Sequence, residues 1–417
     1  MAMIAERKSG RNLFLSCFLN VRLSDMALFI CLKLAMFGEA IQASTDFSYC
    51  DEIATAALII AAIARCCDNG AALPKRVSKM ARASLILLLV VVSIGFIGNL
   101  CGGVSVSWLA VGADIFACCK FPIAIVAAVY AFSTSRELAL LFEGEARFLL
   151  VLMIGLGITN LLFDFGMGSE ARFGLRSSFT FVFDHPTYLV FCAVGLTALL
   201  MGDKKRNMSF VVMGLLVAAL SLRAKGLAFS VVGFLLLATF GKRNKLTLGH
   251  VVLVIAAATF IGADQIANYY QSTGYARTEL ARQSLTVATD YFPLGSGFAT
   301  YGSAVTAQND YYSPLYYTYG LSTIWGLTPS APLFISDTFW PTVLAEFGYV
   351  GLPIYIALLV TLFVMCYQFR GARLSIICIF LYLLISSTSE SAFFNPSSVY
   401  LAMCIGLSIP LGKRSAA

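Results

Sequence analysis

The stretch NMSFVVMGLLVAALSLRAKGLAFSVVGFLLLATF (Asn207–Phe240) decides how this chain folds. Basic clusters flank it, DKKRN (Asp203–Asn207) and GKRNK (Gly241–Lys245). As one helix it would run about 50 Å, too long for a single crossing of a hydrocarbon core about 30 Å thick. Both basic ends belong on the same side of a membrane. The chain must therefore turn back at SLRAKG (Ser221–Gly226). Each arm then has only about fifteen residues, roughly 23 Å, which leaves the turn below the outer surface unless the bilayer thins. Arg223 and Lys225 fall at that depth, a costly place for a cation that does not face a polar cavity or an anion.

The rest of the chain fits an all-α polytopic membrane protein. Its 417 residues are 59% hydrophobic and 12% charged, with a mean hydropathy of +0.83. Soluble domains carry about 25% charged residues, so an ordinary soluble domain is excluded. Apolar blocks place helices near 25–43, 51–65, 83–100, 106–132, 147–163, 186–202, 208–222, 225–240, 246–265, 338–367, 374–389 and 396–411. That makes about twelve spans in one transmembrane domain over residues 1–417. With both termini cytoplasmic, the loops on that side hold 21 of the 29 Lys and Arg residues. The net charge of +7 thus reflects the positive-inside rule and calls for no nucleic-acid partner. The basic N-terminus MAMIAERKSGRN has no small-residue cleavage site after the first apolar block, which predicts a retained first helix. The twelve cysteines lie mostly in apolar blocks and read as small hydrophobes. With only His185 and His250 to offer imidazole ligands, neither a metal nor another cofactor is expected.

One long polar loop, residues 266–335, is expected on the outer (periplasmic) side between helices nine and ten, with short helices of its own. It holds ten of the eighteen tyrosines, Tyr291 and Tyr301 among them, and the glycine-rich run PLGSGFATYGS (Pro293–Ser303). Tyrosine rings stack on the C–H faces of sugars, and they equally form interfacial belts; the residues leave both open. The six outward cations come in pairs: Arg172 and Arg176, Arg223 and Lys225, Arg277 and Arg282. Guanidinium forks suit a lipid-linked phosphate or pyrophosphate. The alternative is headgroup anchoring, or pairing with Asp164, Glu170 and Glu279. His185, in FDHPTY (Phe183–Tyr188), precedes a proline suited to a helix first turn. Asp337 is either a helix N-cap or a reactive carboxylate. Glu346 is expected to face the protein interior, while Lys33, Glu39, Asp114 and Lys120 are charges inside spans that can pair within the bundle.

Four features in order carry a family resemblance. They are an outward Arg172/Arg176 segment before FDHPTY, a Ser-Leu-Arg turn (Ser221–Arg223), arginines ahead of P-L-G-x-G-F (Pro293–Phe298), and a polar cluster before L-x-E-x-G-x-x-G (Leu344–Gly351). Over Arg172 to Gly351 the chain resembles the O-antigen polymerase and O-antigen ligase family of membrane glycosyltransferases. The resemblance implies a GT-C-like, metal-independent, inverting transferase with its active site on the periplasmic face of the bacterial inner membrane. Its substrate would be an undecaprenyl-pyrophosphate-linked oligosaccharide, and a chain-length regulator is a candidate partner. By this likeness Arg172 or Arg176, Arg223 and Arg282 neutralise the donor pyrophosphate. Lys225, Arg277, His185, Tyr291 and Tyr301 join Arg172 and Arg176 as candidate substrate contacts. Ligases of the family carry histidine where this chain has Asp337, so the reading favours a polymerase of O-antigen, capsule or exopolysaccharide, with Asp337, Arg282 and Arg223 in catalysis. The alternatives are a ligase acting on lipid A core and a lipid-linked oligosaccharide flippase or other transporter that uses the intramembrane charges.

Overall fold

The structure, a computed structural model, describes residues 23–67, 73–163, 165–171, 177–239, 249 and 275–414. The expected helix at 246–265, the basic cluster Gly241–Lys245, residues 266–274 of the loop, and the N-terminal 22 residues lie outside the described residues. Within them, each apolar block read as a span is helical. The long helices are α1 (Leu23–Thr45), α2 (Cys50–Cys67), α3 (Lys75–Cys101), α4 (Trp108–Phe132) and α5 (Arg136–Leu162). They are followed by α6 (Pro186–Leu200), α7 (Lys204–Leu220) and α8 (Ala224–Thr239). The polar loop folds as α9 (Ala276–Asp290), α10 (Ala304–Gln308) and α11 (Pro314–Thr318). The C-terminal part is α12 (Trp340–Tyr367), α13 (Arg373–Ser386) and α14 (Ser397–Arg414). Among the described residues the only extended pairing is a single bridge between Gly168 and Phe179.

Five of these helices are long and apolar enough to cross a membrane: α1, α3, α4, α12, and α6 with the turn that follows it. Helix α3 shows why a bilayer suits them. Val77, Ala81, Ser84, Leu88, Val91, Gly95 and Asn99 form its buried stripe. Its other side exposes Leu85, Ile86, Leu89, Phe96, Ile97 and Leu100. A helix apolar on every side is stable only when protein or lipid covers all of it. Helix α6 is the opposite case, with every residue but Tyr188 buried, and α14 packs against it. These features are compatible with a multi-pass membrane protein.

The stretch that decided the fold is a helical hairpin. Helices α7 and α8 pack together and join through Ser221–Arg223, at the turn the basic clusters required. Ser221 is fully buried, and its hydroxyl donates to the Ala218 carbonyl.

The polar loop is locked to the bundle by an exchange of backbone hydrogen bonds. Gly348 interrupts α12 with φ 64° and ψ −168°. The carbonyls of Ala345 and Glu346 then accept from Ser296 N–H and Gly297 N–H, each at 2.9 Å, and Val350 N–H donates to Pro293 O at 3.2 Å. From α3, the Asn99 amide bonds both the Phe298 N–H (2.9 Å) and its carbonyl (2.8 Å). From α4, Asp114 accepts from Ala299 N–H at 2.9 Å and Ser303 Oγ at 3.2 Å. The loop also has a small core of its own, in which Leu280, Tyr301, Tyr316, Leu321 and Leu327 are fully buried.

A methyl group on Gly348 would run into the Gly295 amide, in a backbone conformation other residues avoid. Gly348→Ala should cost about 3 kcal/mol and lower the unfolding temperature in detergent. Gly112→Ala, with open space around its Cβ within α4, should leave it unchanged or raise it slightly. Equal unfolding temperatures for the two variants would show that the interlock does not hold the loop.

Candidate functional site

A cavity of about 1390 Å³ opens where the loop meets the bundle. Its walls come from α1, α2, α4, the start of α6, the α7–α8 turn, the loop, and the turn between α13 and α14. Residues far apart in sequence converge on it: His185, Arg223, Lys225, Arg277 and Asp337 all line it.

Local structure sets each of these side chains. His185 is the N-cap of α6, where its Nδ1 accepts from Thr187 N–H at 3.3 Å. Its Nε2 lies 2.7 Å from Arg223 Nη2. A neutral imidazole has one acceptor nitrogen for these two donors, so the tautomer decides which is bonded. The Arg223 backbone N–H donates to Ser221 Oγ at 3.3 Å, tying the turn's geometry to the guanidinium. Lys225, in the first turn of α8, pairs with Glu390 at 2.5 Å. Arg277, in the first turn of α9, pairs with Asp337 at 2.8 Å. Asp337 therefore does not cap α12, whose N-cap position falls on Phe339 without a side-chain bond.

Burial lifts the Asp337 carboxyl above the usual carboxylate range, and the Arg277 charge pulls the other way. A carboxyl brought nearer neutrality is better matched to proton transfer at physiological pH.

Other expected site residues lie elsewhere. Arg282 does not line the cavity; its side chain is 67% exposed and bonds Glu279 through Nε (3.0 Å) and Nη2 (2.8 Å). The i, i+5 spacing from Arg277 turns it to another side of α9. Tyr301 is fully buried in the loop's own core, where its hydroxyl donates to the Leu280 carbonyl. Burial also pushes that hydroxyl's pKa well up. It is placed to brace the loop, not to touch a sugar. Tyr291 ends α9 with its ring against Gly102, away from the cavity lining. Arg172 and Arg176 lie outside the described residues.

Two groups of cavity residues escaped the sequence reading. Glu390 is the only charged residue between Arg373 and Lys413, a signal that was there to be used. Its turn also grips the Asp337 segment, since Ser391 N–H donates to Ser336 O at 2.9 Å and Ser391 Oγ to Thr338 O at 3.1 Å. The second group is Asp51 and Glu52 of α2, which hold Lys120 of α4, with Glu52 at 2.7 Å. Glu39 lines the same wall. The cavity thus has a cation-rich side from the C-terminal half and a carboxylate-rich side from the N-terminal half.

No family model matches the chain, and no curated protein matches it in sequence. The site is therefore read from its own chemistry. It can receive an anion on Arg223, Lys225 and Arg277, and it holds a carboxylate, Asp337, already bonded to one of those cations.

The Asp337 shift has a sign that stability measurements can check. A carboxyl with a raised folded-state pKa stabilises fully below its unfolded value and loses that contribution as pH rises through the folded value. The unfolding temperature of wild type minus that of Asp337→Asn should therefore fall as pH rises above the unfolded carboxylate value of about 4. A flat or rising difference would contradict the burial argument.

Proposed function

We propose that this protein is a polysaccharide polymerase of the bacterial inner membrane. It transfers a growing glycan from undecaprenyl pyrophosphate to a lipid-linked repeat unit. On this reading the chain crosses the membrane about twelve times in a GT-C-like arrangement, with both termini cytoplasmic and the cavity facing the periplasm. The observation that carries it is the convergence of three cations and a raised-pKa carboxylate in one large cavity. The ordered motifs from FDHPTY to L-x-E-x-G add the family likeness.

The chemistry needs no group beyond these residues and the two substrates. Asp337 takes the proton from an acceptor hydroxyl, whose oxygen attacks the anomeric carbon of the donor. The new C–O bond forms as the bond from that carbon to the pyrophosphate oxygen breaks. Arg223, Lys225 and Arg277 take up the charge that develops on the leaving group, the differential stabilisation that accelerates such a step. Arg277 links the two roles: when it turns to the pyrophosphate it releases Asp337 to act as base. Arg282, exposed and paired to Glu279, has no part in this scheme.

One observation favours a second reading. Glu39, Asp51, Glu52 and Lys120 put intramembrane charges on the same cavity, as a lipid-linked oligosaccharide transporter would use them.

A deletion strain separates the readings. Single-repeat caps are expected for a polymerase, unligated lipid-linked polymer for a ligase, and unflipped intermediates for a transporter. Complementation with Arg223→Ala or Asp337→Asn should reduce polymer by about 10²-fold or more at normal protein levels. Wild-type ladders from Asp337→Asn would remove it as the base, and from Arg223→Ala would remove the pyrophosphate role.

A further inference from the structure

We propose that Trp325 and Phe334, the latter on the same turn as Asp337, form a stacking platform for a pyranose ring of the acceptor saccharide; this rests on the glycosyl-transfer reading above. Trp325 is 71% exposed, although Leu321 and Leu327 on either side of it are fully buried. An indole left in water next to a packed core forgoes burial that the loop could supply, which points to a ligand. The ring is also held in place. The Phe334 ring lies 5.3 Å from it at 59°, and Phe334 N–H donates to the Gly326 carbonyl at 2.9 Å. Gly326 has φ +79°, and a methyl group there would run into the Phe334 ring. The turn therefore closes only with glycine at 326 and a side chain packed over it from 334.

Both rings line the cavity. Phe334 is also coupled to the proposed base, since its carbonyl accepts the Asp337 N–H at 3.1 Å. A flat aromatic face meets the C–H face of a pyranose, while the sugar hydroxyls need polar partners around the rim. The same cavity supplies the amides of Gln308 and Asn309 along with Asp337. A lipid tail would require a continuous apolar slot, whereas charged and amide side chains interrupt the apolar part of this lining. A sugar seated on Trp325 would share the cavity with Asp337, and an uncharged aromatic face suits a saccharide and not the pyrophosphate, which makes Trp325 a binding residue for the acceptor.

The test uses the full chain in lipid nanodiscs with Trp108→Phe and Trp340→Phe, which leaves Trp325 as the sole indole among the chain's three. The probe is the dephosphorylated oligosaccharide released by mild acid from the source organism's own surface polysaccharide. Saturating probe should shift Trp325 emission to the blue and cut iodide quenching severalfold, while lipids brominated near the headgroup leave it unquenched. Unchanged emission and quenching with probe, or strong quenching by brominated lipid, would overturn the platform; the latter would make Trp325 an interfacial anchor. If the double substitution does not fold, polymerisation by otherwise unaltered protein decides. Trp325→Ala should raise the acceptor KM about tenfold with kcat within about twofold, and Trp325→Tyr should restore most of the loss. An unchanged KM would overturn the proposal. Should polymerase activity itself be absent, the fluorescence arm still reports saccharide binding. Loss of polymer in Arg223→Ala with no Trp325 response would remove the platform alone.

Discussion

The structure depends on a trade of backbone hydrogen bonds at Gly348. A break in a helix among apolar helices strands carbonyls and amides where water cannot reach them, which costs several kcal/mol per group. Here the Pro293–Phe298 strip supplies the missing partners: Ala345 and Glu346 carbonyls are bonded by Ser296 and Gly297, and Val350 N–H by Pro293 O. The exchange needs glycine on both sides, because Gly295 and Gly348 approach until each lacks room for a side chain. Asn99 and Asp114 then add side-chain bonds from two further helices. A polar loop that would otherwise be free to move is thus seated on the bundle, and the cavity exists because it is seated.

Electrostatics sets the character of that cavity. Arg277 and Lys225 are each matched by a carboxylate, Asp337 and Glu390, and all four side chains are at least three-quarters buried. Buried pairs of this kind contribute little net stability, since desolvation offsets most of the attraction. What they provide is cations held in the wall of the cavity without an unbalanced charge. The turn carrying Glu390 and Ser391 ties the two pairs together mechanically, because it holds Lys225 through one residue and the Asp337 backbone through the next.

Much of this architecture could be read from the chain. The position of the α7–α8 turn follows from helix length and the two basic clusters, and the sequence singles out His185, Arg223, Lys225, Arg277 and Asp337, all of which line the cavity. Arg282 and Tyr301 show where such reading fails. An arginine in a polar loop and a tyrosine in a glycine-rich run look the same whether they face a ligand, the solvent or a small core. Their orientation depends on helix phase and on contacts with Glu279 and Leu280. Glu390 was overlooked for a different reason: its importance lies in its partner Lys225, 165 residues away.

By itself the sequence determined the helical class, the placement of helices along the described residues and the identity of the cation-bearing segments that line the cavity. These follow from hydropathy, charge bias and residue spacing, which act locally and survive without knowledge of neighbours. Only the tertiary structure decided which cations share a cavity, which carboxylates neutralise them and which aromatic rings of the loop are left exposed beside them. Those outcomes are set by contacts between residues separated by tens to hundreds of positions, and a single chain carries no local trace of such pairings.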